Sequence, residues 1–160
     1  MKQNKNIPFF NYPDLFTQHS KELTDIFQAV SSRGAFIMQN DLAEFEDRLV
    51  KYTGVKYALG VANATDAMQL LLKAGGIGKG DEVITTNMTA FATVLAIYRS
   101  GATPVIADIV SDTALLDIKS VERCITKKTK AVILVHLYGQ VKEMNAWTNL
   151  CDSYNIKLIE

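Results

Sequence analysis

Three short stretches place chemically useful side chains where apolar runs turn polar. In Asn63-Ala64-Thr65-Asp66 an amide and a hydroxyl open a helix-like pattern. Free N–H groups and the dipole at a helix N-terminus favour an anion such as a phosphate. Asn63 can cap such a helix, and Asp66 three residues on completes a pattern like a capping box. The turn therefore reads either as a cap alone or as an anion site, and the small side chain of Ala64 leaves room for a ligand near the backbone. In Thr86-Asn87-Met88-Thr89-Ala90-Phe91, the ring of Phe91 can stack on a flat cofactor. It also fits the apolar stripe of its own helix, where it would pack in the core. The third stretch is His136-Leu137-Tyr138-Gly139-Gln140. A His and a Tyr at a strand end can serve as general acid or base, as orienting donors, or as structural residues. Gly139 suits a tight turn. Asp108 reads as a turn former.

The elements that must hold these residues alternate. Val132-Ile133-Leu134-Val135 is an unbroken apolar run, as expected of a strand buried on both faces of a parallel sheet. Its polar successors then fall at the carboxyl end, where open α/β sheets bind ligands. Strands are expected, in chain order, at 57–62, 82–86, 103–107, 130–137 and 156–160. Helices are expected at 65–74, with Ala67, Leu70, Leu71 and Ala74 inward, and at 90–99, with Phe91, Val94, Leu95 and Tyr98 inward. A short helix is expected at 118–125, and another carries Met144, Trp147, Cys151 and Tyr154. Gly75-Gly76 stops the helix at 65–74. Residues 1–53 read as an N-terminal helical region. Leu23, Ile26, Phe27 and Val30 mark one face there. Leu42, Phe45, Leu49 and Tyr52 mark a second helix, capped at Asn40-Asp41 and ended by Gly54. This order argues for a parallel sheet with right-handed crossovers and helices on both faces, in an α/β, three-layer α/β/α fold.

Composition narrows the function classes. The chain has 160 residues, about one domain by length, with 48% hydrophobic and 21% charged residues, ordinary for a globular protein. Seventeen basic residues balance seventeen acidic ones, which argues against nucleic acid or a membrane surface as partner. No apolar stretch approaches the about 20 residues of a membrane helix. Met1 to Asn6 lack the apolar core of a signal peptide. Cys124 and Cys151 form no CxxC motif and read as reduced thiols. His19 and His136 are too few and scattered for a metal site. Gly76-Ile77-Gly78-Lys79-Gly80 follows a helix and precedes a strand, the reverse of a dinucleotide fingerprint. A P-loop needs Ser or Thr after Gly-Lys, and Gly80 stands there.

Several segments, in order, resemble the DegT/DnrJ/EryC1/StrS family of sugar aminotransferases. Phe36-Ile37-Met38 through Phe45-Glu46 resembles the start of its early helix. Asn63-Ala64-Thr65-Asp66-Ala67-Met68 is similar to its S-G-T-D-A-L phosphate turn. Gly76 to Ile84 resembles G-I-G-x-G-D-E-V-I, and Gly101-Ala102-Thr103-Pro104-Val105 with Asp108 resembles G-A-x-P-V…D. Thr126 to Ala131, leading into Val135 to Gln140, resembles T-x-x-T-K-A…V-H-L-Y-G-Q. Each motif is weak alone; the ordered set covers nearly the whole chain.

The resemblance implies the large domain of fold-type I enzymes, with residues 54–160 as its incomplete N-terminal part. It implies pyridoxal 5'-phosphate (PLP) as cofactor and transfer of an amino group from glutamate or glutamine to a keto sugar, usually nucleotide-linked. It further implies a cytoplasmic homodimer serving polysaccharide or amino-sugar synthesis. Ala64 and Thr65 would bind the phosphate. Phe91 and His136 complete the expected cofactor-binding set, with Tyr138 beside His136 at the base of the site. No metal is expected. In the family the aspartate that pairs with the pyridinium follows an I-E pair like Ile159-Glu160, and the Schiff-base lysine comes later. The chain therefore reads as an N-terminal fragment, inactive alone, with no catalytic residue among its 160.

Ala64 replaces the family's commoner glycine but keeps its N–H. Ala90 stands where many members carry the ring-stacking aromatic. Phe91 lies one position later, about 100° around a helix. Gln39 replaces a usual glycine. Two other functions fit the same scaffold: a non-catalytic regulatory or binding protein, and a PLP-dependent sugar dehydratase with histidine in place of the lysine.

Overall fold

The computed structural model describes residues 7–141 and 143–160. The expectation about Met1 to Asn6 lies outside them. The chain divides into two compact units, Met1–Gly60 and Val61–Glu160.

The first unit holds α1 (Tyr12–Ser32) and α2 (Asn40–Thr53). Pro13 and Asp14 open α1, where a missing N–H costs nothing and a negative charge suits the dipole. Asn40 does not cap α2 as expected. It is the first helical residue, and the extended Gln39 precedes it without a side-chain cap. Gly54 ends α2 at φ 76, its N–H donating to Val50 O, a left-handed closure that favours glycine. The expected faces are present but largely uncovered: Leu23, Ile26, Phe27, Phe45, Leu49 and Tyr52 are exposed. The strand expected at 57–62 is absent. A strand exists only through a hydrogen-bonded neighbour, and the sheet does not include this stretch. Instead the Gly60 N–H donates to Glu46 Oε1 at 2.6 Å, and Tyr57 and Leu59 are exposed.

The second unit is a parallel sheet in the order β2-β1-β3-β4, formed by β1 (Glu82–Thr86), β2 (Thr103–Ala107), β3 (Thr129–Ile133) and β4 (Lys157–Ile159). The helices are α3 (Ala64–Ala74), α4 (Phe91–Ser100), α5 (Ile118–Cys124) and α6 (Met144–Ser153). One lateral row runs Val105, Ile84, Val132, Leu158. That row packs with Val121 of α5 and with Trp147 and Cys151 of α6. On the opposite face Val83, Ala131 and Ile133 pack with Leu72 of α3 and Ile97 of α4. Alternation along β1 and β3 thus feeds two cores, one per face, giving the expected α/β/α layers.

The chain moves one way from β1 to β2 through α4, then back across β1 to β3 through α5. Reversing direction moves the crossover to the other face, as right-handed connections require.

Three expected details are corrected. Helix α3 buries Leu72, with Thr65 and Met68 half-buried, and turns Leu70 and Leu71 outward at 53% and 55% exposure. Helix α4 buries Thr93, Ala96 and Ile97, leaving Phe91 and Tyr98 exposed. In both helices apolar residues occupy two faces, so periodicity alone could not choose the inner one. Strand β3 ends at Ile133, not Leu137. Its last rung is Leu134 N–H to Ile159 O at 2.8 Å, and a left-handed turn follows.

Candidate functional site

Connections leave β1 and β3 in opposite directions across the sheet, so the switch point lies between them. In such sheets a crevice opens there, outside the carboxyl ends. The loops at 87–90 and 134–141 border it.

Helix α3 brings a third element to this edge. At its C-terminus, a Cβ built on Gly75 would stand 3.6 Å from Cδ of Lys157, the first residue of β4. Earlier in the helix, Met68 packs on the same core as Ile159, the last residue of β4. The helix therefore runs from the carboxyl edge at Asn63 to the amino edge at Gly75. Its eleven residues span about 16 Å.

Asn63 caps α3 as expected. Its Oδ1 accepts from the Asp66 N–H at 2.9 Å, and its Nδ2 donates to Asp66 Oδ2 at 2.9 Å. The Asp66 carboxylate is thus held by the cap. The Ala67 N–H donates to Asn63 O at 3.0 Å. Among the described residues nothing takes the N–H groups of Ala64 and Thr65 or the Thr65 hydroxyl. Two amides and a hydroxyl at a helix N-terminus suit a dianion.

Phe91 is the first residue of α4 and is 75% exposed. Core packing, the alternative reading of this residue, is not what the fold shows. At the same end of α4 the hydroxyls of Thr89 and Thr93 share a hydrogen bond of 2.9 Å.

His136 follows β3, and its Nε2 lies 2.8 Å from Glu160 Oε2. An ionised carboxylate only accepts, so Nε2 carries the proton and donates. Nδ1 is then a buried atom without a partner. Buried polar atoms normally have one. Asp108 is a turn former: its Oδ1 accepts from the Ile109 N–H at 3.2 Å.

Sequence reasoning did not find the His136–Glu160 pair. Its signal was a polar residue at the end of two strands that turn out to be neighbours. Gln140 Nε2 donates to Thr113 O at 3.2 Å and to Leu137 O at 3.3 Å, contacts that the sequence does not signal. Concavities of about 400 and 500 Å³ lie at the opposite, amino edge, around Asp81, Lys130 and Lys157 and around Thr126 and Tyr154. The polar groups described above belong to the open carboxyl edge. Among the described residues no group of His, Cys, Asp and Glu could hold a metal ion. Among the described residues no helix is long and apolar enough to cross a membrane.

The sequence profile of the DegT/DnrJ/EryC1/StrS aminotransferase family matches residues 17–160. The chain belongs to this family. It is 38% identical over 154 residues to a dTDP-3-amino-3,6-dideoxy-alpha-D-galactopyranose transaminase of Aneurinibacillus thermoaerophilus, covering 96% of this chain and 42% of that protein. It is 37% identical over 155 residues to a pleiotropic regulatory protein of Geobacillus stearothermophilus, covering 97% and 42%. The crystal structure of S. venezuelae DesV with a ketimine intermediate superposes with a TM-score of 0.93 at 34% identity, covering 97% of this chain and 42% of that one. The chain thus spans about two fifths of the length of the curated relatives it matches. Family members use PLP, and solved relatives carry it or its amino form, PMP. The residues present suit that group. Unpartnered amides match its phosphate, an exposed ring matches a flat heterocycle, and a buried ring nitrogen lacks a partner.

Proposed function

We propose that the whole protein is a PLP-dependent aminotransferase that moves an amino group from glutamate or glutamine to a nucleotide-linked keto sugar. The observation that carries this reading is the N-terminus of α3, with its two unpartnered amides at the carboxyl edge. Bound PLP supplies an electron sink for amino-group chemistry.

This chain's residues bind and orient. Ala64 and Thr65 hold the phosphate through two N–H groups and the Thr65 hydroxyl. Asn63 keeps that turn open by capping the next amide. Phe91 covers one side of the ring from the first turn of α4. Glu160 orients the His136 ring through Nε2 and leaves Nδ1, the ring atom without a partner, for the cofactor. The Schiff-base lysine and the pyridinium aspartate belong to the part of the family length that this chain does not span, and the 160 residues alone do not transaminate. The whole protein works as a homodimer in the cytoplasm.

The full-length protein with PLP should be yellow. Glutamate should bleach it, and a nucleotide-linked keto sugar should restore the colour. A second reading, a regulator on the same scaffold, is favoured by the likeness to the Geobacillus stearothermophilus protein. It predicts that neither amino donor nor keto sugar changes the colour. A protein that stays colourless with PLP contradicts the aminotransferase.

A further inference from the structure

The turn after β3 holds a residue in a conformation that nothing in its own packing explains. Tyr138 has φ 56 and ψ 27, and Gly139 follows at φ 77. Glycine adopts the left-handed region freely, whereas a bulky side chain does so at a cost. Such strain persists only where the surroundings enforce it. The ring of Tyr138 is not what enforces it, because it is 85% exposed.

Hydrogen bonds around the ring do. The Gly139 N–H donates to His136 O at 3.0 Å and the Gln140 N–H to Leu137 O at 3.2 Å. The Gln140 side-chain amide donates to the same Leu137 O and, across 27 residues, to Thr113 O. That second loop has a left-handed residue of its own, Ala114 at φ 58, held by its N–H to Val110 O at 2.9 Å. One side chain therefore ties two strained loops together. The outcome is an uncovered phenol two residues beyond His136, at the switch point.

We propose that Tyr138 contacts the sugar of the nucleotide-linked substrate, and that Gln140 is the positioning residue that presents it. This rests on the aminotransferase reading and deepens it. A phenol offers an O–H that donates and accepts, and an apolar face that suits the C–H face of a pyranose. The O–H can serve a sugar or a phosphate alike, but the exposed apolar face has a counterpart only on the sugar.

The test uses the full-length PLP-bound protein and Tyr138→Gly, Tyr138→Asn, Gln140→Leu and the Tyr138→Gly/Gln140→Leu double variant. Glycine and asparagine both tolerate the left-handed region, so the two Tyr138 variants keep the turn. The probes are dTDP-, UDP- and GDP-linked hexoses and the free nucleoside diphosphates, with affinity read by calorimetry. Each single variant should weaken the hexose-linked ligand about tenfold, as expected for one lost hydrogen bond with its packing. Affinity for the nucleoside diphosphate should not change, and the PLP absorbance reports that each variant is loaded. The double variant should be no weaker than Tyr138→Gly, because Gln140 acts through Tyr138. Wild-type affinity in the Tyr138 variants overturns the proposal, as do losses that multiply in the double variant. A wild type that bleaches with glutamate yet binds none of the probes overturns it while leaving the amino-donor reading intact. A wild type without the PLP chromophore overturns both.

Discussion

Asn63 and Cys151 show how far a residue's immediate surroundings set its chemistry. Asn63 and Asp66 lie three apart, so their mutual bonds are local and were legible in the sequence. The His136–Glu160 contact joins residues 24 apart and needed the β3–β4 pairing, which no local pattern gives. Cys151 is buried between α6 and the sheet. Burial first, and the Asp152 charge second, push its thiol from 9.0 up to about 11. The neutral thiol is therefore the folded form at ordinary pH. Its contribution to stability is complete below pH 9 and is lost as pH rises from there through about 11. Iodoacetamide at pH 8 should label the half-buried Cys124 and leave Cys151 untouched until the protein is unfolded. Equal labelling of both thiols in the native state would contradict this placement.

At the scale of elements, the strands at 82–86, 103–107 and 156–160 and the helices around them were legible, because each is a short apolar run or stripe bounded by Gly, Pro or a cap. Which face of a helix points inward was less so. In α3 both Ala67/Leu70/Leu71 and Met68/Leu72 satisfy helical spacing, and only the sheet beneath chooses Leu72. The stretch 57–62 has strand-forming residues but no neighbouring strand, and pairing is not written in a single segment. β3 is shorter than its apolar run, because Leu134 and Val135 continue the run past the strand and Tyr138 and Gly139 turn the backbone left-handed. The facing of α3 gives a quantitative contrast. Leu72→Ala should destabilise the fold by about 2–5 kcal/mol, the range for a buried leucine. Leu71→Ala, on the exposed face, should cost under about 0.5 kcal/mol. Urea denaturation checks both, and equal losses would return the inner face to Leu71.

For the molecule as a whole, strand order was not predictable from the alternation of elements, yet it decides where chemistry can occur. The order β2-β1-β3-β4 puts the switch point between the connection that leads into Phe91 at the start of α4 and the turn carrying Tyr138. The cap at Asn63 was legible in the sequence; the phosphate we propose for the same turn was suggested by ordered family motifs more than by local chemistry, since a cap and an anion site look alike in sequence. The structure also leaves much apolar surface open, from Phe9, Phe10 and Phe16 to Leu70, Leu71, Phe91 and Tyr98. Exposed faces of this size associate. The 160-residue chain on its own should self-associate or aggregate, as read by analytical ultracentrifugation. A monodisperse monomer with one cooperative melt would show that these faces need no cover.

In the proposed enzyme, cofactor binding depends most on the amides of Ala64 and Thr65 gripping a dianionic phosphate. Ala64 is the first residue of α3, where proline is tolerated, and Asn63 before it is extended at φ −163, as a residue preceding proline should be. Ala64→Pro therefore deletes one of the two amides without breaking the helix. In the full-length protein this change should raise the Kd for PLP about tenfold, the effect of one charge-assisted hydrogen bond, and leave the affinity for pyridoxal, which lacks the phosphate, unchanged. An unaltered Kd for PLP in a folded Ala64→Pro protein would mean that the phosphate is held elsewhere.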